Sequence, residues 1–283
     1  MKYLALLSIA VLLLGLGGVA VAQVEREAAH LATPGTEKTL TLPEAANHAA
    51  VIDLGEAVDP QTGEVVHGYA IPRYAEGPAK PSGVGKKPGS GGGACYGFLA
   101  KGAKWKTVEP WIVNPQNPDN LDAIFVLTTV ADDVAEWQDA ADGTLDGSAV
   151  AIMGSGEATT TVLVADSVAP DGQNEVLFGT INDSNTIAVT IVWGVFYGPP
   201  SGRYFAEWDQ VYNTFYRWSA TGAPDAMDFD NIVTHELGHS FGLADLYDSG
   251  CSEATMYGYG TEGETKKQTL EAGDITGISE LYQ

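Results

Sequence analysis

The chain opens on an apolar run without periodicity, Leu4 to Leu14, followed by the small-residue stretch Ala20-Val21-Ala22. With Lys2 ahead of it, this pattern predicts a cleaved secretory signal over residues 1–22. An uncleaved anchor is the alternative, because Leu4 to Ala22 carries only Ser8 as a polar residue. No later stretch approaches the ~18 consecutive apolar residues of a membrane span, so the mature chain is expected to have none. Between Val51 and Tyr74, two strand-like runs flank the turn sequence Asp59-Pro60-Gln61-Thr62-Gly63, which predicts a small β-hairpin. Gly77 to Gly93 is dominated by glycine, proline and serine, with Lys80, Lys86 and Lys87 among them, and reads as a linker. Beyond it the period changes. Asp122 to Ala141 sets Val126, Val130, Val134 and Trp137 at three-to-four spacing, predicting a helix. Glu175 to Gly179 and the nearly continuous apolar run Thr186 to Trp193 predict strands, the second buried. Arg203 to Trp218 alternates in part and predicts a strand or two, and a further helix is expected from Asp228 or Phe229 to Phe241. The pattern gives an α+β fold, divided into a signal (1–22), a pro-region with its hairpin and linker (23–94), and a compact domain (95–283).

Composition narrows the partners. Fourteen Lys and Arg against 37 Asp and Glu give a formal charge of −23, with only 18% of residues charged. The imbalance comes from scarce cations. A polyanion would be repelled over a Debye length or more, so nucleic acid and anionic lipid are not expected partners. An acidic surface is compatible with divalent cations, calcium included, although the sequence assigns no residue to calcium.

Candidate chemistry is concentrated in the second helix. His235 and His239 are four residues apart, so their imidazoles leave one helical face about a turn apart and can converge on one metal ion. Glu236 follows His235 directly and sits beside such a metal without pointing at it, where it can take a proton from a bound water. The histidines of the chain are at 30, 48, 67, 235 and 239, so from Cys95 onward the motif pair stands alone. A catalytic zinc takes three protein ligands and keeps one position open. The third cannot be a histidine of this domain. Gly242 suits a helix stop because it accepts positive φ, and the returning chain delivers Asp245. Asp248, Glu262, Glu264 and Glu271 remain rivals.

The run His235-Glu236-x-x-His239-x-x-Gly242-x-x-Asp245, followed by Ala254-Thr255-Met256-Tyr257, resembles the zinc-binding helix and methionine turn of the metzincin metalloproteases. Aspartate at the third position resembles the snapalysin variant. The methionine turn and the terminal stretch Leu270 to Tyr282 resemble the matrixin branch. The resemblance covers roughly Cys95 to Gln283. It implies a metzincin-like zincin fold: a twisted mixed sheet with two main helices in an upper part, and a small lower part closed by a C-terminal helix. It also implies a secreted zinc endopeptidase acting on protein or peptide substrates, with Glu236 as base and Met256 as an apolar floor under the metal. No tyrosine receives a catalytic role. The oligomeric state is left open, and an exported zinc-binding or adhesion domain without peptidase activity is the alternative function.

Cys95 and Cys251 are the chain's two cysteines, and export favours pairing them. The alternative is a switch in which the Cys95 thiolate occupies the open zinc position of a latent precursor. Without a switch cysteine, inhibition by residues 23–94 would be steric or would use Glu56, Asp59, Glu64 or Glu76 on the zinc. The linker is expected to be a boundary that few contacts cross.

Overall fold

The computed structural model describes residues 39–42, 49–75 and 95–283. The expected signal (1–22) and the whole of the expected linker (77–93) lie outside the described residues, and among those that are described no helix is long and apolar enough to cross a membrane. The chain is α+β.

Eleven strands and three helices are described. In chain order they are β1 (Thr39–Leu40), β2 (Ile52–Val58), β3 (Val65–Ala75), β4 (Glu109–Asn114), α1 (Ala123–Ala140), β5 (Met153–Ala158), β6 (Asn174–Ile181), β7 (Thr186–Val195), β8 (Tyr204–Asn213), β9 (Trp218–Ser219), β10 (Met227–Asp228), α2 (Phe229–Phe241), β11 (Tyr259–Gly260) and α3 (Ala272–Tyr282). Nine strands make one mixed sheet in the order β11-β3-β7-β8-β6-β4-β5, with β1 beside β6 and β2 beside β3. Pairings among β4, β5, β6 and β8 are parallel, whereas β7 runs antiparallel to both β8 and β3.

β7 explains why its sequence is so uniformly apolar. Ala188 and Val192 face the core shared with α1 and α2, while Val189, Ile191 and Trp193 face a second cluster with Leu40, Leu163 and Val211. A strand covered on both faces has no solvent side on which to alternate. On the helix side, α1 and α2 are joined where the Trp137 indole N–H donates to the Thr234 carbonyl at 2.8 Å.

The predicted hairpin is present as β2 and β3. Its turn is built as the residues suggest: the Asp59 carboxylate accepts from the Gln61 backbone N–H at 2.8 Å and the Thr62 hydroxyl at 2.6 Å, and Gly63 takes φ of +73°. It is not a separate unit. β3 pairs with β7 from His67 to Tyr74, and the described residues fall within one compact unit. The expectation of few contacts across the linker is therefore corrected. The physical reason is that β3 supplies Val66 and Ala70 to the apolar cluster behind β7, so the hairpin completes that core instead of burying one of its own.

Cys95 and Cys251 form a disulfide, with Cα atoms 5.4 Å apart and 156 positions of sequence between them. A closed loop of that length restricts the unfolded chain by about 5 kcal/mol in the chain-entropy account. The bond ties the start of the 95–283 region to the segment ahead of the methionine turn, and no thiolate remains to act as a zinc switch.

Candidate metal centre

Helix α2 starts where Asp228 caps it, accepting from the Asn231 N–H at 3.0 Å. It ends where Gly242 turns left-handed at φ +110°. Carbonyls left over at that end are not orphaned: Ser240 O accepts the Trp105 indole N–H at 2.8 Å, and Phe241 O accepts the Tyr282 hydroxyl at 3.0 Å. The whole helix is buried except for Asp230. His235, Glu236 and His239 are each 0% exposed. Each of the three keeps one polar atom without a hydrogen-bond partner at that depth.

The imidazoles are aimed by their Nδ1 atoms. His235 Nδ1 lies 2.7 Å from Thr255 O, and His239 Nδ1 lies 2.9 Å from Leu243 O. Both partners are carbonyls, so both Nδ1 atoms carry the proton and both Nε2 lone pairs face inward. Asp245 Oδ1 stands 3.1 Å from His235 Nε2 and 3.6 Å from His239 Nε2. Its other oxygen, Oδ2, accepts from the Tyr247 hydroxyl at 2.9 Å. Both Nε2 atoms and Oδ1 are buried without a hydrogen-bond partner. Two imidazole nitrogens and a carboxylate oxygen within 4.8 Å of one another are a donor set that fits zinc. Burial opposes ionisation of Asp245, but positive charge at the two Nε2 positions, foremost at His239, outweighs it and holds its carboxyl well below the usual range.

Glu236 differs from Asp245 by one free oxygen turned elsewhere. Its Oε2 accepts the Thr190 hydroxyl of β7 at 2.6 Å, while Oε1 is buried and unpartnered. Burial pushes its pKa up, which suits a proton acceptor more than a ligand.

Below the helix, Met256 is wholly buried, and a Cβ on Gly238 would lie 2.2 Å from its sulfur. The turn that holds it is fixed by Asp274 of α3, whose carboxylate accepts the N–H groups of Thr255 at 2.8 Å and Met256 at 3.2 Å. Among the rivals for third ligand, Asp248 caps the short helical turn at 249–251 by accepting from Gly250 N, and Glu264 pairs with Lys267 at 3.2 Å. Of the carboxylates considered as blocking groups, Asp59 is spent on the hairpin turn, Glu64 accepts the Tyr204 hydroxyl, and Glu56 is exposed; Glu76 lies outside the described residues. Sequence reasoning missed Tyr247, Asp274 and Arg73. A cation inside the β-type run Val65–Ala75 was the available signal for the last.

The matrixin family model matches residues 130–283, more than half of the chain. This chain belongs to the matrixin family. Membership of that family implies metalloprotease chemistry and zinc. The family match starts at 130, well inside the 95–283 span over which the sequence resemblance runs. A metalloendoproteinase 2-MMP of Arabidopsis thaliana is 31% identical over 93 residues, covering 30% of this chain and 22% of that protein. The chain thus spans under a quarter of that relative's length. A solved structure, metalloproteinase-II of Bacteroides fragilis, is 14% identical over 64% of this chain and 54% of its own, with a TM-score of 0.34.

A second group of acids meets elsewhere. Ligand oxygens of Asp166, Glu207 and Asp209 lie within 4.8 Å of one another, with Asp166 Oδ2 and Glu207 Oε1 unpartnered. Such an all-oxygen set has the chemistry of a ligand set for a hard cation. Burial raises all three carboxyls, Glu207 from 4.5 to about 8 and Asp166 from 3.8 to about 6.

Proposed function

We propose that the chain is an exported zinc endopeptidase whose metal is held by His235, His239 and Asp245, with Glu236 as general base. The observation that carries this reading is the convergence of three unpartnered buried donors, each fixed by a hydrogen bond on its far side, next to a carboxylate with one oxygen free. Zinc bound there would supply Lewis acidity toward a peptide carbonyl and an acidified water. Thr190 holds Oε2, so Oε1 is the atom that takes a proton and later returns it to the departing amine. Tyr247 keeps Asp245 turned toward the two histidines, and Met256 packs under α2 as an apolar floor. A purely structural zinc would gain nothing from that base. Export is supported by the signal-like residues 1–22 and by the disulfide, which persists in oxidising compartments.

The test is metal content and casein hydrolysis by the purified chain, before and after a chelator. Zinc near one equivalent with chelator-sensitive hydrolysis is expected. A chain that binds no zinc, or hydrolyses casein equally well without it, would sink the reading.

A further inference from the structure

The three donors of the metal centre are aimed by two short loops. Residues 242–246 carry Asp245 and offer Leu243 O to His239 Nδ1 at 2.9 Å, and residues 251–256 offer Thr255 O to His235 Nδ1 at 2.7 Å. The loops are joined to each other, because Leu246 N donates to Met256 O at 2.8 Å and Gly258 N to Leu246 O at 2.9 Å. A third segment, residues 95–99, grips both. Phe98 bridges to Leu243 in antiparallel register, with Leu99 N donating to Gly242 O and Ala244 N to Gly97 O, each at 3.0 Å. Cys95 is bonded to Cys251 at the head of the second loop, and Cys251 O accepts the Ala254 N–H at 3.0 Å, one residue before Thr255. The back of the segment lies flush on α3. A Cβ on Gly273 would fall 2.4 Å from Cys95 O, and one on Gly277 would fall 2.8 Å from Tyr96 Cβ. Asp274, between those two glycines, is the residue that fixes the methionine turn.

Two backbone hydrogen bonds are a weak hold on a segment, since each is exchanged for bonds to water at small net cost. The covalent bond is what keeps the segment against both loops. We propose that residues 95–99 are a latch on the metal centre and that the Cys95–Cys251 bond sets it. Closed, the latch fixes the loops that aim His235, His239 and Asp245; reduced, it frees them and the site lets go of its zinc. Metal retention then follows the thiol–disulfide balance of the compartment, tight after export and weak before it. This rests on the reading of the chain as an exported zinc protein. Opening the latch takes a dithiol. One of its thiolates attacks a cystine sulfur and the S–S bond breaks. Its second thiol then closes on the mixed disulfide, so that two electrons and two protons pass to the protein and a cyclic disulfide leaves. Both cysteines are half-buried, within reach of such a reagent.

The experiment compares the full chain with its Cys95→Ser/Cys251→Ser form, which has no thiols to bind metal themselves. Zinc affinity is read by competition with a chromogenic chelator, and ligand geometry by the visible bands of cobalt(II) bound in place of zinc. The double variant is expected to bind zinc about 10–100-fold more weakly, the range lost when groups that orient metal ligands are removed, and to shift the cobalt bands. In the folded parent, a dithiol should release zinc to the chelator while tryptophan fluorescence and near-UV circular dichroism stay unchanged. Reoxidation should restore the affinity. The same dithiol should leave zinc binding by the double variant unchanged, which separates reduction from chelation by the reagent. Equal zinc affinity and equal cobalt bands in parent and variant would overturn the latch. So would zinc that leaves the reduced parent only as its tertiary signals collapse, because the bond would then staple the whole fold; this arm decides the matter if the double variant does not fold. An oxidised parent that binds no zinc defeats the metal reading itself, and the latch falls with it.

Discussion

At the scale of single residues, two carboxylates in one site are told apart by what holds their second oxygen. Glu236 has Oε2 on Thr190 and Asp245 has Oδ2 on Tyr247, but only Asp245 presents its free oxygen to both imidazoles. Glu236→Gln is therefore expected to keep zinc and lose peptide hydrolysis by about 10²–10⁴-fold, the range a general base supplies. Metal analysis beside a peptide assay checks it, and a variant that still hydrolyses at the parent rate removes the base. Asp245→Ala should lose both zinc and activity. Asp248→Ala should lose neither, because that side chain is engaged in capping its own turn. Zinc loss in the Asp248 variant instead would mean that the chain after Gly242 delivers the wrong aspartate.

Among elements, the decisive contact is α2 against the methionine turn, where Gly238 leaves no room for a side chain. A Cβ there would fall 2.2 Å from Met256 Sδ and 2.9 Å from the Trp137 ring, both in the packed core. Gly238→Ala is expected to cost about 1–3 kcal/mol by overpacking. A melting temperature lower by roughly 2–4 °C per kcal/mol would report it, and an unchanged Tm would mean that Met256 moves aside freely. This helix was legible in the sequence because its evidence is local: the His235/His239 spacing, the stop at Gly242 and the cap at its start all lie within fifteen or so residues. Helix α1 and strand β7 were legible for the same reason. The pairing of β3 with β7 and β11 was not. Its register depends on Gly68 lying under Trp193 and Gly260 making way for Arg73, contacts between positions more than a hundred residues apart. The composition of residues 77–93 suggested separation, and the hairpin's shared core overrode it. A two-residue strand such as β11 has no pattern to detect. Tyr247 and Asp274 escaped notice because a side chain that orients another is indistinguishable, in one sequence, from any polar residue.

For the whole molecule, the excess of acid has a consequence that charge counting alone does not give. The acids are not all spread over the surface, since Glu207 and Asp209 are each 1% exposed and share a site with Asp166. Burial comes first among the causes that raise their pKa values, and the neighbouring carboxylates add to it for Glu207 and Asp209. A carboxyl whose folded pKa is raised holds its proton at pH values where the unfolded chain has already released it. The folded state then binds more protons, and stability falls as pH rises. The window runs from about 4.5, the ordinary value for Glu207, to the value of about 8 that it takes in the fold. Asp166 adds the same sign over a narrower span, up to about 6. The zinc-loaded chain is accordingly expected to melt at a lower temperature at pH 8 than at pH 5 in buffer without added calcium or magnesium. Glu207→Gln cannot ionise, and its amide can still meet the Gly172 N–H that now binds the carboxylate. That variant should show a visibly shallower fall across the same range. Melting curves of parent and variant at four or five pH values decide the matter. Parallel curves would place the pH sensitivity in other buried acids, Asp133 and Asp230 foremost, whose pKa values are raised by burial in the same direction.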